Sequence, residues 1–253
     1  MVRISVFSTG RVRQKRGERG VRRYLVDDWS DETLPVNVFL IDHPLGLCLV
    51  DTGQTAAATR PGYFAPWYPF FRLARFELGA EDEAANQITA AGVDPARIRW
   101  VLLTHMHTDH VGGIAGFPSA EVLIARAEWE PAQGLGGMLR GYQPQHWPQG
   151  IQPHPIDFTG PAIGPFAGSH DIASDGSLLF VPLPGHTVGH AALLVRDDAG
   201  PSYLCAGDAA HTAADLAREA PEVAEWCRRE NVVILTCHDD LAPALIVGSR
   251  PRP

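Results

Sequence analysis

Thr104-His105-Met106-His107-Thr108-Asp109-His110 is the stretch whose reading decides the fold. Four of its seven residues can bind a metal, at the spacing H-x-H-x-D-H. It follows the apolar run Trp100-Val101-Leu102-Leu103, which reads as a buried strand. It precedes Val111-Gly112-Gly113, a turn that can open a helix. The ligands thus sit at the C-terminal end of a strand, where open α/β sheets bind their ligands. His105 and His107, two apart, can converge on one ion; Asp109 and His110, past the bend, can reach a second. Neutral imidazoles with a carboxylate suit zinc best, and iron or manganese fit the same donors. A solvated histidine cluster is the plain alternative. Four ligand types between a strand and a Gly-Gly turn argue against it.

Three later residues share this context. His186 follows the apolar run Leu178-Leu179-Phe180-Val181, within Pro184-Gly185-His186-Thr187-Val188-Gly189-His190. Asp208 follows Ser202-Tyr203-Leu204, within Cys205-Ala206-Gly207-Asp208. His238 follows Val232-Val233-Ile234-Leu235, within Thr236-Cys237-His238-Asp239. Each is a polar residue at the end of an apolar run, beside small residues, so all are expected on one rim.

Together these landmarks resemble the metallo-β-lactamase superfamily of hydrolases. The resemblance covers nearly the whole chain. It starts at Asp51-Thr52-Gly53, after Leu47-Cys48-Leu49-Val50, and every landmark comes in the family's order. It implies an α/β fold, an αββα sandwich of two mixed β-sheets with helices on the outer faces. Carried over by residue, it puts His105, His107 and His186 on one metal. Asp109, His110 and His238 go to a second, with Asp208 bridging both. Asp51 is implied to orient a ligand imidazole, as carboxylates behind metal-bound histidines do; a plain strand-end turn carboxylate is the alternative. His190 is expected to support the centre or fill the core. The β-lactamases that name the superfamily often use a cysteine at the second metal and lack the bridging carboxylate. Asp208 is present here, and Cys205 reads as a buried small residue, so drug hydrolysis is not the expected role.

Two zinc ions would share a water, lower its pKa and polarise a substrate carbonyl. Asp109 is then placed to accept the water's proton and pass it to the leaving group. No Gly-x-Ser-x-Gly elbow offers a serine nucleophile. Within the superfamily the chain is most similar to the N-acyl-homoserine lactonases, through the segment 40–53, the H-x-H-x-D-H stretch and Gly185–His190. The implied substrate is a small lactone, with a related ester or thioester as the alternative. One position departs. The lactonases carry a tyrosine three residues after the bridging aspartate that hydrogen-bonds the substrate; this chain has His211. An imidazole can donate the same bond or move a proton; capping a following helix is the other reading. A glutathione-thioester hydrolase would show a basic segment near the C-terminus, which Ala242–Gly248 is not. A zinc-stabilised binding protein without activity is disfavoured, because all seven ligands are intact.

The 253 residues carry 45% hydrophobic residues, enough for a full core. A ligand set running from Asp51 to His238 argues for one domain spanning 1–253. A formal charge of −8 argues against a nucleic-acid substrate. No apolar run approaches the ~20 residues of a membrane span, and the alternating start Met1–Phe7 is unlike a signal peptide. Four cysteines without paired spacing read as reduced thiols, so a cytoplasmic protein is expected.

Strands are predicted at Val36–Ile41, Leu47–Val50 and Glu121–Ala125, with a hairpin turn at Asp175-Gly176. Helices are predicted over Asp82–Ala91, ended by Gly92, and from Ala213 to about Glu230 with a break near Pro221. Arg11–Arg16 reads as a basic surface loop. Two insert-like segments stand apart. Arg60–Phe76 is aromatic; Phe64, Trp67 and Tyr68 are expected either to wall an acyl-chain pocket or to form a homodimer contact. Gly134–Gly164, rich in Gly, Pro and Gln, reads as a long binding loop that offers Met138 to the substrate. His43, His146, His154 and His170 are expected to be solvated.

Overall fold

The computed structural model describes residues 2–15, 27–65, 74–197 and 200–246. Strands β1 (Arg3–Lys15), β2 (Trp29–His43), β3 (Gly46–Val50), β4 (Ala74–Glu77), β5 (Ile98–Leu103), β6 (Glu121–Ala125) and β7 (His154–Ile156) form one mixed sheet in the order β4-β1-β2-β3-β5-β6-β7. Strands β8 (His170–Asp171), β9 (Leu178–Pro182), β10 (Ala191–Val195), β11 (Ser202–Cys205) and β12 (Val232–Leu235) form the second, in the order β12-β11-β10-β9-β8. Short helices connect them: α1 (Ala84–Ala90), α2 (Thr108–Val111), α3 (Arg126–Ala132), α4 (Gly134–Leu139), α5 (Leu216–Glu219), α6 (Pro221–Arg229) and α7 (Ala242–Leu245).

Side chains alternate across a strand, and both faces of these sheets are buried. In β5, Trp100 and Leu102 point between the sheets, where they share a core with Phe39, Val50, Phe180, Leu193 and Leu235. Val101 and Leu103 point the other way, against Ile88 of α1 and Val111 of α2. In the second sheet, Leu179, Val181 and Leu194 face Leu216 of α5 and Val223 and Trp226 of α6. Strands covered on both faces read as continuous apolar runs, which is why they stood out in the sequence. The result is the expected αββα sandwich.

Asp175-Gly176 joins β8 to β9, with Gly176 at φ +79°. The predicted helix at 82–91 divides into a 3₁₀ turn, Ala80–Asp82, and α1, and Gly92 at φ +82° ends it. The helix predicted from Ala213 begins only at Leu216, and Pro221 opens α6 at its first turn, where a missing N–H costs nothing.

Other expectations are corrected. Arg11–Lys15 is not a loop but the end of β1, paired with β2 and β4; Arg11 bonds Thr33 and Asp240, and Arg13 bonds Glu77. Ala74–Phe76 belongs to edge strand β4. The 134–164 segment is not structureless: it holds α4, a 3₁₀ turn at Pro144–His146 and β7. His43 is not solvated but buried, hydrogen-bonded to Ser177. His146 is half-buried on Tyr63.

Truncating Phe180 to alanine is expected to cost about 3–5 kcal/mol in urea unfolding, because the cavity falls between the two sheets. Leu139→Ser, at a position 88% exposed, should stay within about 0.5 kcal/mol.

Candidate metal centre

All the strands that carry predicted ligands end on one rim. The β5–α2 turn delivers His105, His107, Asp109 and His110; the turns after β9, β11 and β12 deliver His186, Asp208 and His238. Two groups of donor atoms result, each with its atoms within 4.8 Å of one another: His105, His107 and His186, and His110, Asp208, Cys237 and His238.

In the first group, His107 Nδ1 stands 3.0 Å from His105 Nε2 and 2.9 Å from His186 Nε2. Burial holds the His105 imidazole well below its ordinary pKa and brings His107 and His186 down to about 4. All three are neutral at pH 7 and present lone pairs to a common point.

The second group is built around Asp208. Its Oδ1 lies 3.2 Å from His110 Nε2 and 3.4 Å from His238 Nε2, while its Oδ2 lies 3.5 Å from His186 Nε2. One carboxylate therefore faces both groups, one oxygen to each. His110 Nε2, His238 Nε2 and Asp208 Oδ1 are buried and form no aligned hydrogen bond. Buried polar atoms are seldom left without a partner, and a cation supplies the missing one. The donor set fits a divalent metal at both positions. Asp109 Oδ2 is 3.8 Å from His238 Nε2, at the edge of this group.

The far nitrogens of His105, His110 and His238 are each fixed by a neighbour. Asp51, at φ +59°, accepts from the Thr104 amide and hydroxyl and from His110 Nδ1 at 2.8 Å. With its own proton given to Asp51, the Thr104 oxygen is free to accept from His105 Nδ1 at 3.1 Å. His238 Nδ1 donates to the Pro35 carbonyl. His190 stands behind the centre: Nδ1 donates to Leu183 O, and Nε2 accepts from the Asp208 amide. Gly207 adopts φ +50°, and a Cβ there would come within 2.7 Å of the Thr104 hydroxyl, so the turn into Asp208 needs glycine.

Sequence reasoning missed Glu128. This fully buried carboxylate in α3 accepts from the Met106 amide, the Thr187 hydroxyl and the Gly189 amide. It locks the His105–His107 turn to the turn that carries His186. Tyr142 beside it packs 5.5 Å from the His107 ring, and its phenol is raised by burial and by the Glu128 charge. Asp239 was missed too; it accepts from the Ala213 and Leu241 amides and ties the His211 loop to the His238 turn.

A cleft of about 500 Å³ opens over His107, Asp109, His186 and Asp208. Val12, Ala74, Leu183 and Ala210 give it apolar walls, and Asp215 and Arg218 lie among its lining. His211 lines it as an exposed ring, 5.8 Å from His238, and its carbonyl accepts from Thr236. It caps no helix, since α5 starts five residues later. Phe64 and Met138 do not line this cleft: Phe64 is buried on Tyr63 and Phe76, and Met138 is half-buried in α4. Trp67 and Tyr68 lie outside the described residues.

A rim of converging imidazoles and carboxylates on two facing mixed sheets is the architecture of metal-dependent hydrolases. A family model described as the metallo-beta-lactamase superfamily matches residues 31–240, and the chain belongs to that superfamily. N-acyl homoserine lactonase AttM of Rhizobium johnstonii is 29% identical over 245 residues, covering 84% of this chain and 85% of that protein. The protein of the same name from Azorhizobium caulinodans is 30% identical over 243 residues, covering 83% and 84%. Among solved structures, an N-acyl homoserine lactone hydrolase with N-hexanoyl-L-homoserine at its catalytic metal center superposes with a TM-score of 0.71, covering 94% and 93% of the two chains at 19% identity. That likeness shows a shared fold.

Two predictions follow from the centre's own chemistry. Burial pulls His238 down, but the Asp208 charge outweighs it and holds the metal-free imidazole at about 10. A metal entering the second group at pH 7 must displace that proton, whereas the first group is already deprotonated. On acidification the second ion should therefore leave first, and the first should persist towards pH 4, as metal content after dialysis across pH will show. Glu128→Gln places an amide against two N–H donors and a hydroxyl; metal affinity should fall about 10–100-fold in competition with a chromophoric chelator.

Proposed function

We propose that this chain opens the ring of an N-acyl homoserine lactone or a closely related lactone, using two zinc ions held by the seven ligands. The observation that carries the reading is the Asp208 carboxylate, with one oxygen towards each donor group. The names of the relatives support the substrate class. Ions held there would polarise the lactone carbonyl and lower the pKa of an attacking water.

The chain's own residues do the rest. Asp109 lines the cleft beside His238; its carboxylate takes the proton of the attacking water and returns it to the ring oxygen as that bond breaks. His211, exposed at the cleft wall, donates a hydrogen bond to the substrate where the lactonases use a phenol. The apolar wall of Val12, Ala74, Leu183 and Ala210 takes the acyl chain, as ligand pockets are mostly apolar with a few directing polar groups. Four free cysteines, all buried, support a reducing compartment such as the cytoplasm. Among the described residues no helix is long and apolar enough to cross a membrane.

A second reading, hydrolysis of another carboxylic ester or thioester at the same centre, draws support from His211, because an imidazole there changes the group that meets the substrate. A panel of acyl-homoserine lactones, γ- and δ-lactones and simple thioesters, followed by proton release with zinc-loaded protein, separates the two. Lactone turnover that falls to background in Asp208→Ala is the expected result; turnover of thioesters alone would overturn it. In the same assay, Asp109→Asn should lower kcat roughly 10²–10⁴-fold while both metals remain bound; full activity would remove Asp109 from proton transfer.

A further inference from the structure

The second donor group contains a residue that no reading above uses. Cys237 Sγ lies within 4.8 Å of the ligand atoms of His110, Asp208 and His238. Asp109 is absent from that group. The thiol is free and 1% exposed. Its backbone is held on both sides: the amide donates to Gly207 O at 3.2 Å, and the carbonyl accepts from the Asn37 amide at 2.9 Å. The sulfur is therefore placed by the turns that place Asp208 and His238. Three of its neighbours, His110 Nε2, His238 Nε2 and Asp208 Oδ1, are among the buried atoms that lack a hydrogen-bond partner. Four donor atoms thus come together within 4.8 Å of one another.

We propose that Cys237 is itself a ligand of the second metal ion, adding a thiolate to the imidazoles of His110 and His238 and the carboxylate of Asp208. This rests on the two-metal reading of the centre but not on the identity of the substrate. On binding, the S–H bond breaks, its proton leaves to solvent, and a metal–sulfur bond forms. A thiolate among the ligands would suit zinc or cobalt and disfavour manganese. The alternative is that Cys237 only packs, since it also touches Val12, Val36 and Ala74.

Cobalt distinguishes the two. Metal-free protein is reloaded with two equivalents of Co²⁺ and its absorption recorded. A cobalt–thiolate bond gives an intense near-ultraviolet charge-transfer band that nitrogen and oxygen ligands do not. The band is expected in the native chain and in Cys227→Ala, whose thiol lies in the outer core of the second sheet. It should vanish in Cys237→Ser while the visible cobalt bands persist, and affinity for the second ion should fall at least about tenfold. Visible bands without the charge-transfer band in the native chain would overturn the assignment, as would a band that survives Cys237→Ser. Failure to take up cobalt at all would remove the metal centre with it, whereas loss of lactone turnover alone would leave it standing. Should the serine variant not fold, zinc-edge X-ray absorption of the native protein decides: a sulfur neighbour near ~2.3 Å is expected, and a shell of nitrogen and oxygen only would overturn the proposal.

Discussion

A carboxylate buried between imidazoles governs this molecule. Asp208 is surrounded by rings, and burial alone would neutralise it. The charges on His238 and His110 outweigh that and hold its acid well below the ordinary carboxylate range. The arrangement needs rings aimed at the carboxylate with their other nitrogens occupied. Asp51, Thr104, Pro35 and Leu183 supply that occupation for His110, His105, His238 and His190. Most of the unusual backbone near the rim serves it, including Asp51 at φ +59° and Gly207 at φ +50°.

The layers and the placement of the candidate ligands on one rim were legible in the sequence for one reason. A strand covered on both faces is an unbroken apolar run, so its end is conspicuous, and a histidine or aspartate just beyond it is placed with it. Glu128 carries no such mark. Its partners lie 22, 59 and 61 residues away, and in sequence it is one acid in a helix beginning Arg126-Ala127. Asp239 was hidden by standing next to a stronger signal, His238.

Phe64 was misplaced because aromatic richness does not distinguish a pocket from a core. Phe64 serves the core, and the apolar wall is made by smaller residues such as Val12 of β1 and Ala74 of edge strand β4. A usable signal was present in Arg11-Val12-Arg13: the alternation of charge and valine is a strand's period of two, and the density of charge concealed it. Cys237 read as one more buried thiol because its neighbours in space, apart from His238, come from other strands.

The ligands divide by origin. His105, His107, Asp109 and His110 hang from the first sheet, whereas His186, Asp208 and His238 hang from the second. Neither sheet alone brings together all the donor atoms of either group. An ion bound there would be a rivet through the two halves of the sandwich, closed only once they have docked in register. Glu128 acts as its apolar-core counterpart, a washer of hydrogen bonds from α3 to the turn after β9. Metal occupancy would then report assembly: a chain whose sheets slipped or parted would lose bound ions before it lost its strands, and binding free energy released at the rim would be returned as resistance to that parting.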